Sequence, residues 1–238
     1  MPSVFVPPRT PTLTARSLAL ALVLVFALCV GLGIAVADVS PPDEVAVELE
    51  RTARTYMEQS AYRLHFIQEN YWSLADSTFA TGATLTVSPP RQLSLRYDDG
   101  GRVVAAAGTL RVYIPQTKQF FVSQIDSADL TIDPASILMM YDLHPTEPVI
   151  GSDESALSVR LVPSNRYMDP VRVDVTIDRA RHTVTRLTAH SSSGDRSTYV
   201  IQRTELGVSV PEGEFRLDPP PGASIQGGSP YDYGDVGS

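Results

Sequence analysis

The spacing of apolar residues along the chain changes once, from a helical period to a strand-like one. Before residue 60, Val45, Leu49, Ala53 and Tyr56 recur every three or four residues, which is typical of a helix with one apolar face. Asp43 stands in front of this stripe and could accept hydrogen bonds from the free amides at a helix start. The pattern therefore predicts a helix from about residue 43 to residue 59.

From residue 62 onward, apolar and polar residues alternate, as they do in strands that bury one face. Turn-forming sequences such as Asp98-Asp99-Gly100-Gly101 and Ser193-Gly194-Asp195 separate the alternating runs. Successive strands joined by short turns favour an antiparallel sheet with one apolar face. The clearest predicted strands are at residues 85–87, 93–97, 110–114, 157–161, 171–177, 183–190, 196–203 and 214–217.

One short segment, residues 133–141, breaks the strand pattern. Asp133 followed by Pro134 predicts the cap and the first residue of a helix. The helix would be too apolar for a surface loop and too short for a core helix, so we predict a mobile lid over the mouth of the sheet. Its apolar residues, which should fill that mouth, are Ile137, Leu138, Met139 and Met140.

A long sheet with one apolar face and only two helical pieces has few ways to bury that face. It can curl around the helices, or it can close partly and leave a cavity. The pattern alone leaves both outcomes open: the helices fill the space completely, or an apolar pocket remains.

The first 37 residues have the layout of a secretory signal peptide. Arg9 and Arg16 precede an apolar run from Leu18 to Val36, and Ala35-Val36-Ala37 supplies small residues for a cut before Asp38. An uncleaved inner-membrane anchor is the alternative, because nineteen apolar residues could just span a bilayer. We predict a cleaved signal peptide over residues 1–37, and therefore export.

Removal of residues 1–37 would also change the chemistry of the chain. Cys29, the only cysteine, would be lost, so no thiol or disulfide chemistry would remain. Cys29 follows Leu28 in the middle of the apolar run, which excludes a lipoprotein signal, because that signal needs a cysteine at the end of the run. The segment holds two arginines and no acids, so its loss takes the net charge from −8 to −10. This charge argues against nucleic acid and anionic membrane surfaces as partners.

The sequence contains no recognisable catalytic or metal-binding motif. The chain has no G-x-S-x-G, phosphate-loop or G-x-G-x-x-G sequence, and its four histidines do not have metal-ligand spacing. Asp126, Asp129 and Asp133 lack the glycine and terminal glutamate of a calcium loop, so we predict them to be solvated charges. We therefore predict a protein that is not an enzyme and that holds no metal or cofactor.

Several short motifs, in the same order along the chain, resemble the LolA family of periplasmic outer-membrane lipoprotein carriers. Phe66-Ile67-Gln68 resembles the family's F-x-Q strand, and residues 90–97 are similar to its R-P-x-x-F-x-W segment. Residues 108–115 resemble D-G-x-x-L-W-x-Y-x-P, and residues 214–225 resemble the closing F-x-F-x-P-P-x-G-x-x-V. The resemblance covers about residues 44–225.

This resemblance implies an α+β fold, an incomplete, strongly curved antiparallel β-barrel (a half-barrel) with an N-terminal helix and a short apolar helix as lid. The LolA-like domain would occupy residues 38–225, and the aperiodic residues 226–238 are predicted to be a disordered tail. The implied function is that of a monomeric periplasmic carrier. It would receive lipoproteins from an inner-membrane lipoprotein-releasing ABC transporter and deliver them to an outer-membrane acceptor. An envelope regulatory or sensor module on the same fold, which binds a protein partner, is the alternative.

A carrier of this kind must hold acyl chains in an apolar cavity. Each methylene group removed from water contributes ~0.8 kcal/mol, so binding can depend on buried area and not on directed hydrogen bonds. The residues that we expect to line the cavity are Leu85, Val87, Leu93, Leu95, Val112, Phe120, Leu138, Met139, Met140, Tyr199 and Ile201.

The chain departs from the family pattern at one position. Pro89 stands where the family often has an arginine, which is thought to hold the lid closed through hydrogen bonds. The sequence therefore does not identify the group that holds the lid closed. Arg91 and Arg96 are the candidate substitutes.

Overall fold

The computed structural model describes residues 42–89, 92–125, 133–164 and 170–227. The predicted signal peptide, Arg91, Asp126, Asp129 and residues 228–238 of the predicted tail lie outside these ranges, so these interpretations stay predictions. Among the described residues, no helix is long and apolar enough to cross a membrane.

The described residues form two helices, α1 (Pro42–Met57) and α2 (Pro134–Met140), and thirteen strands. Both predicted helices are confirmed, as is the alternating strand pattern from residue 62. The predicted strand at residues 214–217 is wrong: residues 214 and 215 belong to a turn, residues 216 and 217 have no regular structure, and the last strand lies at residues 224–227. The strands are β1 (Tyr62–Trp72), β2 (Ser77–Ser88), β3 (Gln92–Tyr97), β4 (Arg102–Ala106), β5 (Thr109–Ile114), β6 (Gln119–Gln124), β7 (Tyr141–Leu143), β8 (Val149–Ser152), β9 (Ala156–Pro163), β10 (Arg172–Asp178), β11 (Thr183–His190), β12 (Arg196–Leu206) and β13 (Ser224–Gly227).

All of these strands belong to one sheet, in the order β13-β6-β5-β4-β3-β2-β1-β12-β11-β10-β9-β7, with β8 paired to β9. The pairings are antiparallel except that of β13, which runs parallel to β6. Strand β1 joins two meanders, because it pairs with β2 on one side and with β12 on the other. The sheet is open, since its terminal strands do not pair with each other.

The inner face of the sheet curves around one core. Residues of β2 to β5 share a buried cluster with residues of β9 to β11 and of both helices. Neighbouring strands lie about 4.8 Å apart, so a flat sheet could not bring strands this distant in the order around a common core. The predicted fold class, an incomplete and strongly curved antiparallel β-barrel with two helices, is therefore confirmed.

A second, smaller cluster lies on the outer face, where Phe120 packs with Val104 and Leu217. Phe121, the next residue on β6, packs against the inner core instead. Adjacent residues of a strand point to opposite faces, so the sequence alone could not tell which of the two phenylalanines faces inward. Phe120 is therefore excluded from the cavity lining that we expected.

Helix α1 is attached to the sheet by polar contacts as well as by its apolar face. The backbone amide of Val184 on β11 donates a hydrogen bond to the buried Tyr56 hydroxyl oxygen at 2.9 Å. Glu48, also buried, contacts His182 Nδ1 at 2.8 Å. Burial raises the pKa of Tyr56 to about 12, so this phenol stays protonated. These contacts fix α1 at one side of the inner core.

Candidate apolar binding cavity

A cavity of about 180 Å³ lies between the inner face of the sheet and α2. Strands β1, β2, β10, β11 and β12 form its wall, and α2 covers it. Among the described residues, none of those that line it is charged. The lining consists of Leu64, Phe66, Leu85, Pro134, Ile137, Tyr141, Pro170, Val173, Leu187, Ala189, Tyr199 and Ile201.

The wall follows from strand alternation and register. Leu64 and Phe66 are two residues apart on β1 and therefore point to the same face. Leu64 lies opposite Leu85 of β2, and Phe66 lies opposite Ile201 of β12. The Phe66 ring also meets the Tyr199 ring edge-on, with 5.6 Å between centroids. The registers thus bring apolar residues from distant parts of the chain to one wall.

The polar residues that alternate with this wall point to the outer face. Asp174 and His190 are neighbours in sequence of the wall residues Val173 and Ala189. Asp174 Oδ1 accepts a hydrogen bond from Arg160 Nε at 2.8 Å, and Asp174 Oδ2 lies 3.3 Å from His190 Nε2. Burial lowers the pKa of His190, which favours its neutral form. This polar network stabilises the outer surface and leaves the cavity apolar.

Helix α2 contributes different residues to its two sides. Ile137 is buried and lines the cavity, whereas Met139 is 63% exposed and points away from it. Leu138 and Met139 instead line a groove of about 640 Å³ outside the cavity, which also contacts Leu49 and Met57 of α1. The expectation that all four apolar residues of the segment fill the mouth is therefore wrong. Ile137 lies there, and Met140 is half-buried against the inner core.

Asp133 connects the start of α2 to the sheet. Its Oδ1 accepts hydrogen bonds from the backbone amides of Ala135 and Ser136, at 3.0 and 3.2 Å, which confirms the predicted helix cap. The same oxygen accepts a hydrogen bond of 2.7 Å from the Tyr62 hydroxyl on β1. Asp133 is only 7% exposed, so our prediction of a solvated charge is wrong.

The Tyr62 hydroxyl is a permanent donor in this contact. Burial, followed by the negative charge of Asp133, raises the pKa of Tyr62 well above its usual value. The Tyr56 ring packs against the Tyr62 ring, with 4.9 Å between centroids, and this contact holds the Tyr62 ring in place. We call the Asp133–Tyr62 hydrogen bond the α2 latch.

Arg96, one of the two arginines proposed as a lid lock, pairs with a residue outside α2. Arg96 Nη2 lies 2.5 Å from Glu214 Oε2. Its strand neighbour Leu95 faces the inner core, so Arg96 points to the outer face. Arg91 lies outside the described residues. Asp133, which the sequence did not suggest for this role, connects α2 to the sheet through Tyr62.

The structure distributes the expected lining residues over several places. Leu85, Tyr199 and Ile201 line the cavity. Whether any of the expected residues binds lipid stays a prediction. Those buried elsewhere in the inner core are Val87, Leu93, Leu95 and Val112.

Sequence reasoning missed other lining residues, among them Leu64, Phe66, Val173 and Leu187. A signal for them was present, because Leu64 and Phe66 alternate with polar residues and Val173 belongs to the Val171–Ile177 alternation. Alternation identifies an inward-facing residue. It does not say which inward-facing residues border a space, since that depends on the strands packed opposite them.

Metal-binding chemistry is not assembled in the part of the chain that the structure describes. Within residues 42–89, 92–125, 133–164 and 170–227, no group of three His, Cys, Asp or Glu side chains could hold a metal ion.

Comparisons with known proteins give distant likenesses only. No protein-family model matches the chain, and no curated protein matches it. An uncharacterized conserved protein from Thermus thermophilus is similar in structure, with 13% identity over 78% of this chain and 98% of that one, and a TM-score of 0.45. A LolA superfamily protein from Nitrosomonas europaea has 10% identity over 73% of this chain and 97% of that one, and a TM-score of 0.41. MucB in its complex with MucA from Pseudomonas aeruginosa has 15% identity over 74% of this chain and 61% of the matched chain, and a TM-score of 0.43.

Proposed function

We propose that this chain is an exported carrier that binds the acyl chains of lipoproteins in the cavity between its curved sheet and α2. The cavity itself carries this proposal, because its lining contains no charged side chain. Burial of a methylene group contributes ~0.8 kcal/mol, so even part of an acyl chain would bind favourably there. The ordered LolA-like motifs of the sequence support the same function.

We expect α2 to move when cargo enters, because the cavity is small. Apolar cavities of about 150 Å³ hold a ligand of the size of benzene, and this cavity measures about 180 Å³. A complete acyl chain needs more space, and the rest of the wall is a hydrogen-bonded sheet. Displacement of α2, with rupture of the α2 latch, would enlarge the cavity without breaking a central strand pairing.

The need for a carrier follows from the chemistry of the cargo. An acylated protein cannot leave a bilayer and cross water unaided, because its chains would be exposed to solvent. We propose that the chain acts as a periplasmic monomer that receives lipoproteins from an inner-membrane ABC transporter and passes them to an outer-membrane acceptor. The predicted signal peptide supports this location.

A second candidate function is that of an envelope regulatory module that binds a protein partner. The groove between α1 and α2 favours it, since at about 640 Å³ the groove is larger than the cavity and is lined by Met57 and Met139. Methionine side chains are flexible and suit surfaces that adapt to a partner.

Purification of the full-length protein from bacterial envelopes distinguishes the two functions. We expect mass spectrometry to detect co-purifying acylated lipoprotein or lipid, and the delipidated protein to bind a fluorescent palmitate analogue. A stoichiometric non-acylated protein partner, together with no binding of the palmitate analogue, would contradict the carrier function and support the regulatory one.

A further inference from the structure

The hairpin between β1 and β2 exposes an unusual set of apolar side chains at its tip. Leu74 is 101% exposed, Trp72 is 55% exposed and Phe79 is 44% exposed. The Trp72 and Phe79 rings contact each other edge to face, with 5.2 Å between centroids. We call these three residues the hairpin tip; they belong to neither buried cluster, and Leu74 lies in the turn between the two strands that carry the rings. Exposed apolar side chains that are grouped at one place, and not scattered singly, often mark an interaction site.

On its β2 side, the hairpin tip extends beyond the neighbouring strand β3. Strand β3 pairs with β2 only at residues 83–88, whereas β2 pairs with β1 as far as Ser77 at the turn. Within the described residues, the first part of β2 therefore has β1 as its only ladder partner. On the other side of the hairpin, β12 pairs with β1 as far as Tyr71, so the tip is flanked by a neighbouring strand on that side only and its apolar side chains are accessible.

Specific contacts hold the hairpin tip in a defined shape. The Ser73 amide donates a hydrogen bond to Asp195 Oδ1 at 2.8 Å, and the Ser73 hydroxyl donates to the same oxygen at 2.9 Å. On the other side of the turn, the Tyr71 hydroxyl donates to Asp76 Oδ1 at 3.1 Å, and the Arg196 guanidinium lies 5.2 Å from the Tyr71 ring centroid. The turn is thus ordered before anything binds, which lowers the entropic cost of docking.

We propose that the hairpin tip docks this protein onto the interface of a zwitterionic lipid bilayer. The exposed surface of the three side chains is on the order of 300 Å², whereas a stable protein interface buries about 800 Å² on each partner. A bilayer needs no complementary groove to accept exposed apolar side chains at a turn. Tryptophan prefers the membrane–water interface, and leucine gains free energy in the hydrocarbon region below it.

The charges of the chain select the kind of bilayer. Asp76 and Asp195 are close to the tip, the positive charge of Arg196 is directed at the Tyr71 ring, and the whole chain carries a net charge of −8. Anionic headgroups would therefore repel the protein. Docking depends on insertion of the apolar side chains and is strongest at a neutral surface.

Docking would also bring the cavity-bearing face of the sheet close to the bilayer. Phe66 and Trp72 are six residues apart on β1, so they lie on the same face of the strand, about 20 Å apart. Phe66 lines the cavity. Membrane docking at the tip does not depend on the proposed carrier function, because it needs no cargo.

The chain contains its own probe, since Trp72 is its only tryptophan. We expect the addition of phosphatidylcholine vesicles to cargo-free protein to shift Trp72 emission to shorter wavelength, and the protein to sediment with the vesicles. Replacement of one third of the lipid by phosphatidylglycerol should weaken this partitioning. Leu74→Glu should reduce partitioning at least tenfold, because it places a carboxylate at the most exposed position of the tip.

Val47→Glu is the matched control, because Val47 is also an exposed aliphatic residue but lies on α1. It should partition as the unaltered protein does. Absence of an emission shift in the unaltered protein, or equal partitioning of the Leu74→Glu and Val47→Glu variants, would overturn the proposal. Binding of the palmitate analogue by Leu74→Glu, without vesicles, should be unchanged, so failure of membrane docking and failure of the carrier function are distinguishable.

Discussion

Replacement of Ala189 by phenylalanine should reduce the affinity for a palmitate analogue at least tenfold while the protein remains folded. Ala189 borders the cavity on β11, and its side chain is half-buried. A phenyl ring there would occupy space that acyl methylene groups would otherwise fill. Each excluded methylene costs ~0.8 kcal/mol, and about 1.4 kcal/mol corresponds to a factor of ten in affinity. Exclusion of two or three methylenes is therefore sufficient for a tenfold loss of affinity.

Titration of the delipidated variant with the fluorescent palmitate analogue measures this effect, and thermal unfolding checks the fold. We expect the melting temperature to stay the same or to rise, since the ring fills an existing cavity and creates no new one. Ala180→Phe is the matched control, because Ala180 is exposed in the neighbouring β10–β11 turn and should bind normally. If Ala189→Phe also binds normally, the cavity is not the acyl site.

The second large effect is expected at the α2 latch. Asp133→Ala should lower the free energy of unfolding by about 2–4 kcal/mol. Loss of a helix cap costs ~1 kcal/mol, and the Tyr62 hydroxyl, left buried without its acceptor, adds about 1–3 kcal/mol. Urea unfolding measures the change. The same variant should load the palmitate analogue faster, because α2 is then less firmly attached to the sheet.

A double-mutant cycle separates the two contributions. Tyr62→Phe keeps the helix cap and removes only the donor, so it should cost about 1 kcal/mol. In the Asp133→Ala background the same change should cost nothing or should stabilise, because it removes the unsatisfied hydroxyl. Asp142→Ala, an exposed carboxylate on β7, is the control and should change the free energy of unfolding by less than about 0.5 kcal/mol. Additive effects of the Asp133 and Tyr62 changes would contradict the latch.

The sequence by itself determined the features that depend on near neighbours. The apolar stripe of α1 and the strand alternation after residue 62 record which side of each element is buried, and they need no knowledge of distant residues. Asp133-Pro134 predicted the start of α2 for the same reason, since a helix cap is made within one turn. The absence of catalytic motifs likewise needed only the residues in order.

The features that the tertiary structure decided depend on residues far apart in the chain. The pairing of β1 with β12 brings Phe66 next to Tyr199 and so completes the cavity wall. The burial of Asp133 follows from its contact with Tyr62, 71 residues earlier. Nothing local to these residues encodes such contacts.

The outward direction of Phe120 and the exposure of Met139 are also decided by contacts with distant parts of the chain. Phe120 and Phe121 are equally apolar, and the inner core selects Phe121 because β6 pairs with β5 in the register that places Phe121 beside Val112. Met139 is apolar enough for the core, but Ile137 takes the place over the cavity and leaves Met139 on the groove side of α2. Hydrophobicity specifies that a side chain favours burial, whereas strand register and helix orientation decide where, because packing permits only one set of side chains to face a given space.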